Sequence, residues 1–555
     1  MLAFKALVLA LGIVEVSSSP AQAPLQAATI KPRKLHGRFL QLTDMHPDPH
    51  YTPGSSQTSA CHRKKPKHDT RAGYYGTPFS ECDAPLRLIN FTLDFIDKKW
   101  AAGLDFVIWT GDNARHDDDP KLPRTTDEIY QLNREVASKM IDVFLSKGIP
   151  VVPSLGNNDV WPHNIMTPGP NSITNQFSLI WESFIPFPNL QVFHRGAYYS
   201  VEVIPGEVAV ISLNTMYFYD SNKAVAGCPF KGRDDPGNLQ LDWLEVQLRS
   251  YRNRGMQVWL SGHVPPTPGN YFPECYVRYV ELSLRFQDTI LGHLFGHMNA
   301  DHFSFLEAID LQFLPENQDR SRFEREELYE TLLREYSALP TSSKELDFGD
   351  YGVVNVSPPV VPNPYLPSFR VFSYNTTSSG VGTSAKKKKG SKRKHGHRRG
   401  DHGNKDSHCA KEEYKNTWKC YLNETWYSDP DSPSRSNTRW TPLGYAQFYI
   451  PSLETANKTH RPRFKLEYLT YVPELLHPPS TNADSIRGFQ YPIPLEHLPR
   501  SLRNSNVTWS KYAPYRMADL TIPSWVGLAQ KLGDSKDTKL RKRFRKYMYM
   551  GGEEG

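Results

Sequence analysis

The chain is predicted to fold as a layered α/β domain, and two observations carry that expectation. Short apolar runs of strand character alternate with stretches whose apolar residues recur at helical spacing. Five of the strand-like runs also end directly in a small island of Asp, Asn or His. Side chains at strand exits gather on one rim of a sheet, where open α/β folds hold their ligands.

The elements follow in order. Residues 39–42 are apolar apart from Gln41 and open onto Thr43-Asp44-Met45-His46. Residues 85–100 carry Leu86, Ile89, Leu93 and Ile96 at helical spacing, with Pro85 suited to a first turn. Residues 106–109 form the next strand and lead to Gly111-Asp112-Asn113. Residues 126–145 repeat the helical pattern, and 151–155 lead to Gly156-Asn157-Asn158-Asp159. Residues 198–203 and 208–213 read as a strand pair joined by Pro205-Gly206. A helix at 239–251 lies between Gly237 and Gly255. Residues 258–260 then reach Ser261-Gly262-His263, and 291–295 reach Gly296-His297-Met298-Asn299. After Asp310 the pattern changes to a charged helix at 324–336 and strands at 369–374, 446–450 and 463–471, which extend the sheet or pack beside it.

This pattern divides the chain into a leader and stem (1–36), a catalytic domain (37–315), a helix and strand extension (316–377), a basic insert (378–408) and a C-terminal extension (409–555). The insert contains Lys386-Lys387-Lys388-Lys389 and Lys392-Arg393-Lys394. It repels itself and has no apolar area to bury, so it is expected to be disordered. The basic stretch from Lys539 to Lys546 has no evident place in the fold. Among 555 residues, 66 Lys and Arg against 59 Asp and Glu leave a formal charge of +7, which suits a polyanionic partner. No nucleic acid partner is expected, and the oligomeric state is not specified.

Residues 2–14 are apolar except for Lys5, too short for a spanning helix and fitted to a signal h-region. Both a cleaved signal and a retained signal anchor are open. Six cysteines fall into three sequence-local pairs, Cys61 with Cys82, Cys228 with Cys275 and Cys409 with Cys420. In an exported chain they are expected to be disulfides, with these pairs as the simplest of several connectivities. Asn90, Asn355, Asn375, Asn423, Asn457 and Asn506 each begin a glycosylation sequon.

The islands hold carboxylate, amide oxygen and imidazole, the ligand types of hard-to-intermediate divalent cations. Asp44 and His46, two apart on an extended exit, can grip one ion. Asp112 can bridge two, while Asn157 offers an amide oxygen and His263 and His297 offer imidazole nitrogens. Two such ions activate water and clamp the attacking and leaving oxygens of an in-line displacement at phosphorus.

The ordered set D-x-H, GD, GN, GH and GHx(H/N), over residues 37–305, resembles the calcineurin-like metallophosphoesterase superfamily. Residues 109–117, Trp-Thr-Gly-Asp-Asn-Ala-Arg-His-Asp, are similar to its acid-sphingomyelinase branch. Gly156-Asn157-Asn158-Asp159 together with residues 296–303, the leader, the insert and the length more specifically resembles the fungal endopolyphosphatases. The resemblance implies a β-sandwich flanked by helices, with a mixed C-terminal extension. It implies cleavage of internal phosphoanhydride bonds in inorganic polyphosphate, and a vacuolar lumen reached as a type II membrane protein or a released soluble one. It also implies two divalent cations, of Mn, Mg, Co, Zn or Fe. One would be held by Asp44, His46, Asp112 and Asn299, the other by Asp112, Asn157, His263 and His297.

Two positions depart from the superfamily. Asn158 stands where a histidine usually meets the phosphate, and Asn299 stands where a ligand histidine is usual. An anhydride leaves as a stable phosphate anion and needs less proton transfer than an alkoxide, so charge neutralisation is the main task. His116 is the remaining candidate acid, and Asn158 a candidate hydrogen-bond donor in catalysis. Arg115, Lys223 and Arg233, with Lys121, Arg124 and Lys231, are candidates for a cationic track. Asp48, His50, Asp159, His163, Asp301 and His302 read as turn formers or supports. Two other readings are a sphingomyelinase-like phosphodiesterase and a polyanion-binding protein with little catalysis. The absence of a six-cysteine saposin-like module weighs against the first, and the intact bridge position against the second.

Overall fold

Among the described residues fourteen strands follow one another. They are β1 (Arg38–Leu42), β2 (Pro47–Asp48), β3 (Ala84–Pro85), β4 (Phe106–Trp109), β5 (Val151–Pro153), β6 (Tyr199–Ile204), β7 (Val208–Ser212), β8 (Gln257–Ser261), β9 (Ile290–Phe295), β10 (His302–Glu307), β11 (Tyr351–Val356), β12 (Ser368–Tyr374), β13 (Pro442–Tyr449) and β14 (Lys465–Leu469). The helices are α1 (Leu86–Lys99), α2 (Thr126–Val143), α3 (Ser172–Ile180), α4 (Leu190–Gly196), α5 (Pro236–Asn253), α6 (Pro273–Arg285), α7 (Leu328–Ala338), α8 (Ile522–Gly533) and α9 (Thr538–Met548). The structure is a computed structural model. It describes residues 37–63, 70–312, 327–342, 345–377, 409–412, 418–420, 422, 426–477 and 491–552. The leader, the basic insert and the sequon at Asn423 lie outside the described residues.

Two six-stranded sheets form the core, ordered β14-β13-β12-β1-β4-β5 and β10-β11-β9-β8-β7-β6. β1, β4 and β5 are parallel, as are β7, β8, β9 and β11. The late strands are integral: β12 pairs antiparallel with β1, and β11 is inserted between β10 and β9. This layered arrangement of sheets and helices is the expected fold class.

β4 is buried along its whole length, which is why its sequence reads as a continuous apolar run rather than an alternating one. The Phe39 ring lies between Phe106 and Phe372, 4.7 Å from each, and its edge contacts Trp259 of the other sheet. The sheets are therefore joined by aromatic packing, which adds geometric preference to apolar burial. α1 covers the first sheet through Phe95 on Phe369, and α5 packs on β8. Capping follows the sequence. Thr125 accepts from the Glu128 N–H at the start of α2, and Asp235 accepts from the Asn238 N–H ahead of Pro236 in α5.

Three disulfides, Cys61–Cys82, Cys228–Cys275 and Cys409–Cys420, join the expected pairs. Asn90, Asn457 and Asn506 are exposed, and Asn375 is half-buried. Asn355 corrects the sequon reading. It lies inside β11, opposite Phe303 and only 5% exposed, so a glycan there would have to displace the sheet.

Candidate metal centre

The five islands leave β1, β4, β5, β8 and β9, and hydrogen bonds tie the two sheets together at that rim. His263 Nδ1 lies 2.8 Å from the Thr110 carbonyl, and the His297 N–H donates to Asp44 Oδ2 at 3.0 Å. The glycines of the islands are set by close approach. A Cβ at Gly156 would collide with the Asp112 carboxylate and N–H, and one at Gly296 with Thr43 and Asp44. Five of the seven expected ligands adopt left-handed backbone, with φ of 48° at Asp44, 37° at His46, 57° at Asp112, 71° at His297 and 51° at Asn299. Such conformations cost about 1–3 kcal/mol each and collect where geometry serves function.

Each imidazole is oriented from behind. His46 Nδ1 meets the Ala114 carbonyl at 2.8 Å, so Nδ1 carries the proton and the Nε2 lone pair faces inward. That Nε2 lies 3.7 Å from Asp44 Oδ1 and 3.4 Å from Asp112 Oδ2. His263 is held the same way by Thr110, and its Nε2 lies 2.8 Å from Asn157 Oδ1 and 3.2 Å from Asp112 Oδ2. His297 Nδ1 is 2.9 Å from the same amide oxygen. The Asn157 amide is fixed in turn, because Nδ2 donates to His163 Nε2 and Asn164 Oδ1, both at 3.0 Å.

Lone pairs therefore converge on lone pairs. Asp44 Oδ1, His46 Nε2 and Asn299 Oδ1 are buried with no hydrogen-bond partner among the described residues. Crowded acceptors are costly unless a proton or cation lies between them. Protonation of an imidazole relieves part of this crowding. Burial alone would lower the His46 imidazole, but Asp44, Asp112 and Asp83 outweigh it and raise it to about 10. His263 is likewise raised to about 9 by Asp112 against the pull of burial. Burial and the neighbouring His263 lower His297 to about 4, leaving it neutral. Burial opposes ionisation of Asp112, yet His263, His46 and the Asn158 amide hold it well below the usual carboxylate range. An anionic Asp112 between two imidazole-bearing groups fits divalent cations. Asp44, His46 and Asp112 offer ligand atoms within 4.8 Å of one another on one side. On the other side His263 faces Asp112, and the Asn157 amide oxygen joins His263 to His297.

Asp112 is itself clamped. Its N–H and those of Asn113 and Gly156 donate to the buried Asp159 carboxylate at 2.8–3.0 Å. Asn158 plays a part other than the expected one. Its N–H and side-chain amide both donate to the Asp112 carboxylate at 2.8 Å, so it orients the bridge rather than facing substrate. Arg124, only 2% exposed, holds Asn158 from behind through Nη1 at 2.8 Å to its carbonyl.

His116 stacks on His46 with ring centroids 4.0 Å apart, and its Nδ1 is 2.7 Å from Asp83 Oδ1. Asp83 was not legible as a site residue: it follows Cys82 in a loop, with no strand exit to mark it. Arg115 is a correction. It is 1% exposed, with Nε and Nη2 on Glu128 and the rest of its fork on the His116 and Leu122 carbonyls, so it braces α2 and cannot line a track. Lys223 is exposed on the loop of Tyr219, whose ring lies 5.4 Å from His297, and its ammonium donates to the Asp220 carbonyl. Arg233 is exposed in the turn before α5.

Comparison with known proteins follows the same lines. Residues 37–299 match the calcineurin-like phosphoesterase family model. An endopolyphosphatase of Cryptococcus neoformans var. neoformans is 38% identical over 94% of this chain and 92% of its own length. Endopolyphosphatases of Schizosaccharomyces pombe and Saccharomyces cerevisiae are 39% and 45% identical, over 62% and 50% of this chain and 62% and 42% of theirs. A crystal structure of a dimetal phosphatase from Danio rerio matches with a TM-score of 0.31 and 12% identity, over 61% of this chain and 93% of that one, too low to add to the argument.

Proposed function

Because the chain belongs to the endopolyphosphatases of the calcineurin-like phosphoesterase family, we propose that it hydrolyses internal phosphoanhydride bonds of inorganic polyphosphate at the strand-exit rim. The observation that carries this reading is the Asp112 carboxylate, 3.2–3.4 Å from two imidazole nitrogens that face it from opposite ligand sets. Two divalent cations fit here, one with Asp44, His46, Asp112 and Asn299 and one with Asp112, Asn157, His263 and His297. When bound, they supply charge neutralisation and lower the pKa of the attacking water.

The chain's own residues do the rest. Asp159, Asn158 and Arg124 hold Asp112 in one orientation, so no reorganisation is needed as charge develops. The Thr110 and Ala114 carbonyls fix the tautomers of His263 and His46. In this reading the Asp83–His116 pair, stacked on His46, hands a proton to the departing phosphate, with Asp83 steadying the ring. Three disulfides and the exposed sequons support an oxidising, secretory-pathway lumen, and we assign the catalytic unit to the vacuole.

The test is incubation of purified, metal-loaded protein with long-chain polyphosphate, followed by separation of chain lengths on a gel. Fragments of intermediate length are expected. Orthophosphate alone would indicate an end-acting enzyme, and intact chains together with turnover of a choline phosphodiester would overturn the reading.

A further inference from the structure

The basic stretch without a place in the sequence reading is α9, and its charge is poorly explained by helix stability. It carries Lys539, Arg541, Lys542, Arg543, Arg545 and Lys546 and no acidic residue. Three like-charge pairs stand at i,i+4 spacing, 539/543, 541/545 and 542/546, and each destabilises the helix. Lys539 lies in the first turn, where the helix dipole disfavours cations. Tertiary neighbours do not neutralise this charge. Arg541 is spent on the Leu532 and Gly533 carbonyls, and Arg545 reaches Glu327 at 3.7 Å. Lys539, Lys542 and Lys546 are exposed and have no ion pair among the described residues.

The helix is also anchored on β10, the strand that follows the Gly296–Asn299 island. Its apolar side buries Phe544 against Phe303 and Tyr336. Its last residue, Met548, accepts through its carbonyl from the Asp301 N–H at 2.9 Å. Asp301 is two residues beyond the proposed ligand Asn299. A ridge of Lys539, Lys542 and Lys546, about 10 Å long, thus ends two residues before the Met548 contact with Asp301.

We propose that the exposed face of α9 is a docking ridge for the polyphosphate chain, engaging phosphates outside the cleaved bond and favouring long substrates. This rests on the function proposed above. A linear polyanion with one charge or more per repeat is the ligand such a ridge matches, by the counterion release that drives cationic surfaces onto phosphate backbones.

The experiment compares the full chain with the triple variant Lys539→Gln, Lys542→Gln and Lys546→Gln. With long-chain polyphosphate at low salt, kcat/KM is expected to fall about tenfold, and the slope of log KM against log salt to become shallower. Tripolyphosphate turnover should stay within about twofold, because short chains do not reach the ridge. Equal losses on both substrates, or no loss on either, would overturn the proposal. A second arm measures retention of long-chain polyphosphate by chelator-treated protein. The triple variant should bind at least several-fold more weakly, and unchanged binding would count against the ridge even if the parent proved inactive.

Discussion

At the strand exits, Asp44, His46, Asp112, Asn157, His263 and His297 turn lone pairs toward one another. Deeper between the sheets, Asp301, Arg370, Gln447, Glu467, Tyr445 and Tyr468 form a second buried polar cluster in which donors meet acceptors. Arg370 on β12 is fully buried and spends its whole fork, on Gln447, on the Val356 carbonyl and on Asp301. Tyr468 donates to the other Asp301 oxygen, and Gln447 donates to Glu467 at 2.8 Å. Both clusters are buried and ionic, yet only one is complete without a cation. A saturated network specifies and rigidifies a core. A network with crowded, orphaned acceptors is a site. Burial and charge alone do not separate the two; hydrogen-bond accounting does.

Breaking each cluster should therefore produce opposite failures. Asp112→Asn is expected to lower polyphosphate cleavage on the order of a thousandfold or more, with a thermal midpoint close to the parent's, as checked by gel assay and calorimetry on the same preparation. A variant that unfolds, or one that still cuts, breaks the contrast. Arg370→Met should do the reverse. It leaves Asp301 buried and unpaired, at a cost of about 3–5 kcal/mol in denaturant unfolding, while cleavage per folded molecule stays near that of the parent.

A milder change sharpens the metal side. Asn164→Ala removes one of the two acceptors that turn the Asn157 amide, and metal affinity measured by titration should fall about tenfold. The smallest expected effect separates the clusters by pH. Burial raises Glu467 to about 8, and Glu307 and Glu335 to about 7. These carboxyls stay protonated in the fold and ionise once it opens. Their contribution is thus complete below about pH 4.5 and is lost as pH rises through 7 and 8. The thermal midpoint should drop by a few degrees between pH 5 and pH 8. Glu467→Gln should flatten that slope, and a slope unchanged by the substitution would remove Glu467 as its source.

How far the sequence revealed this depended on the range of the contact. Strand exits are local, so Asp44, Asp112, Asn157, His263 and His297 could be read from an apolar run followed by a polar island. The cysteine pairs were equally local. What escaped depended on distant partners. Asp83 reaches His116 across a disulfide loop with no periodicity to flag it. Asn158 looked like a substrate contact because a motif fixes only residue types, whereas the fold turns its amide onto Asp112. Arg115 looked like a track residue because Glu128, 13 residues on, was not visible as its partner. A sequon records three residues and nothing of burial, so it does not reveal that Asn355 lies inside β11. The late strands β12 to β14 are legible as strands and β11 is not, and the places of all four inside the two sheets come from pairings that no local pattern encodes.

The most direct test is anomalous diffraction from crystals of the manganese-loaded protein. Two peaks about 3.5–4 Å apart on either side of the Asp112 carboxylate are expected, one against Asp44 and His46 and the other against Asn157, His263 and His297. A single peak, or none at Asp112, would contradict the account.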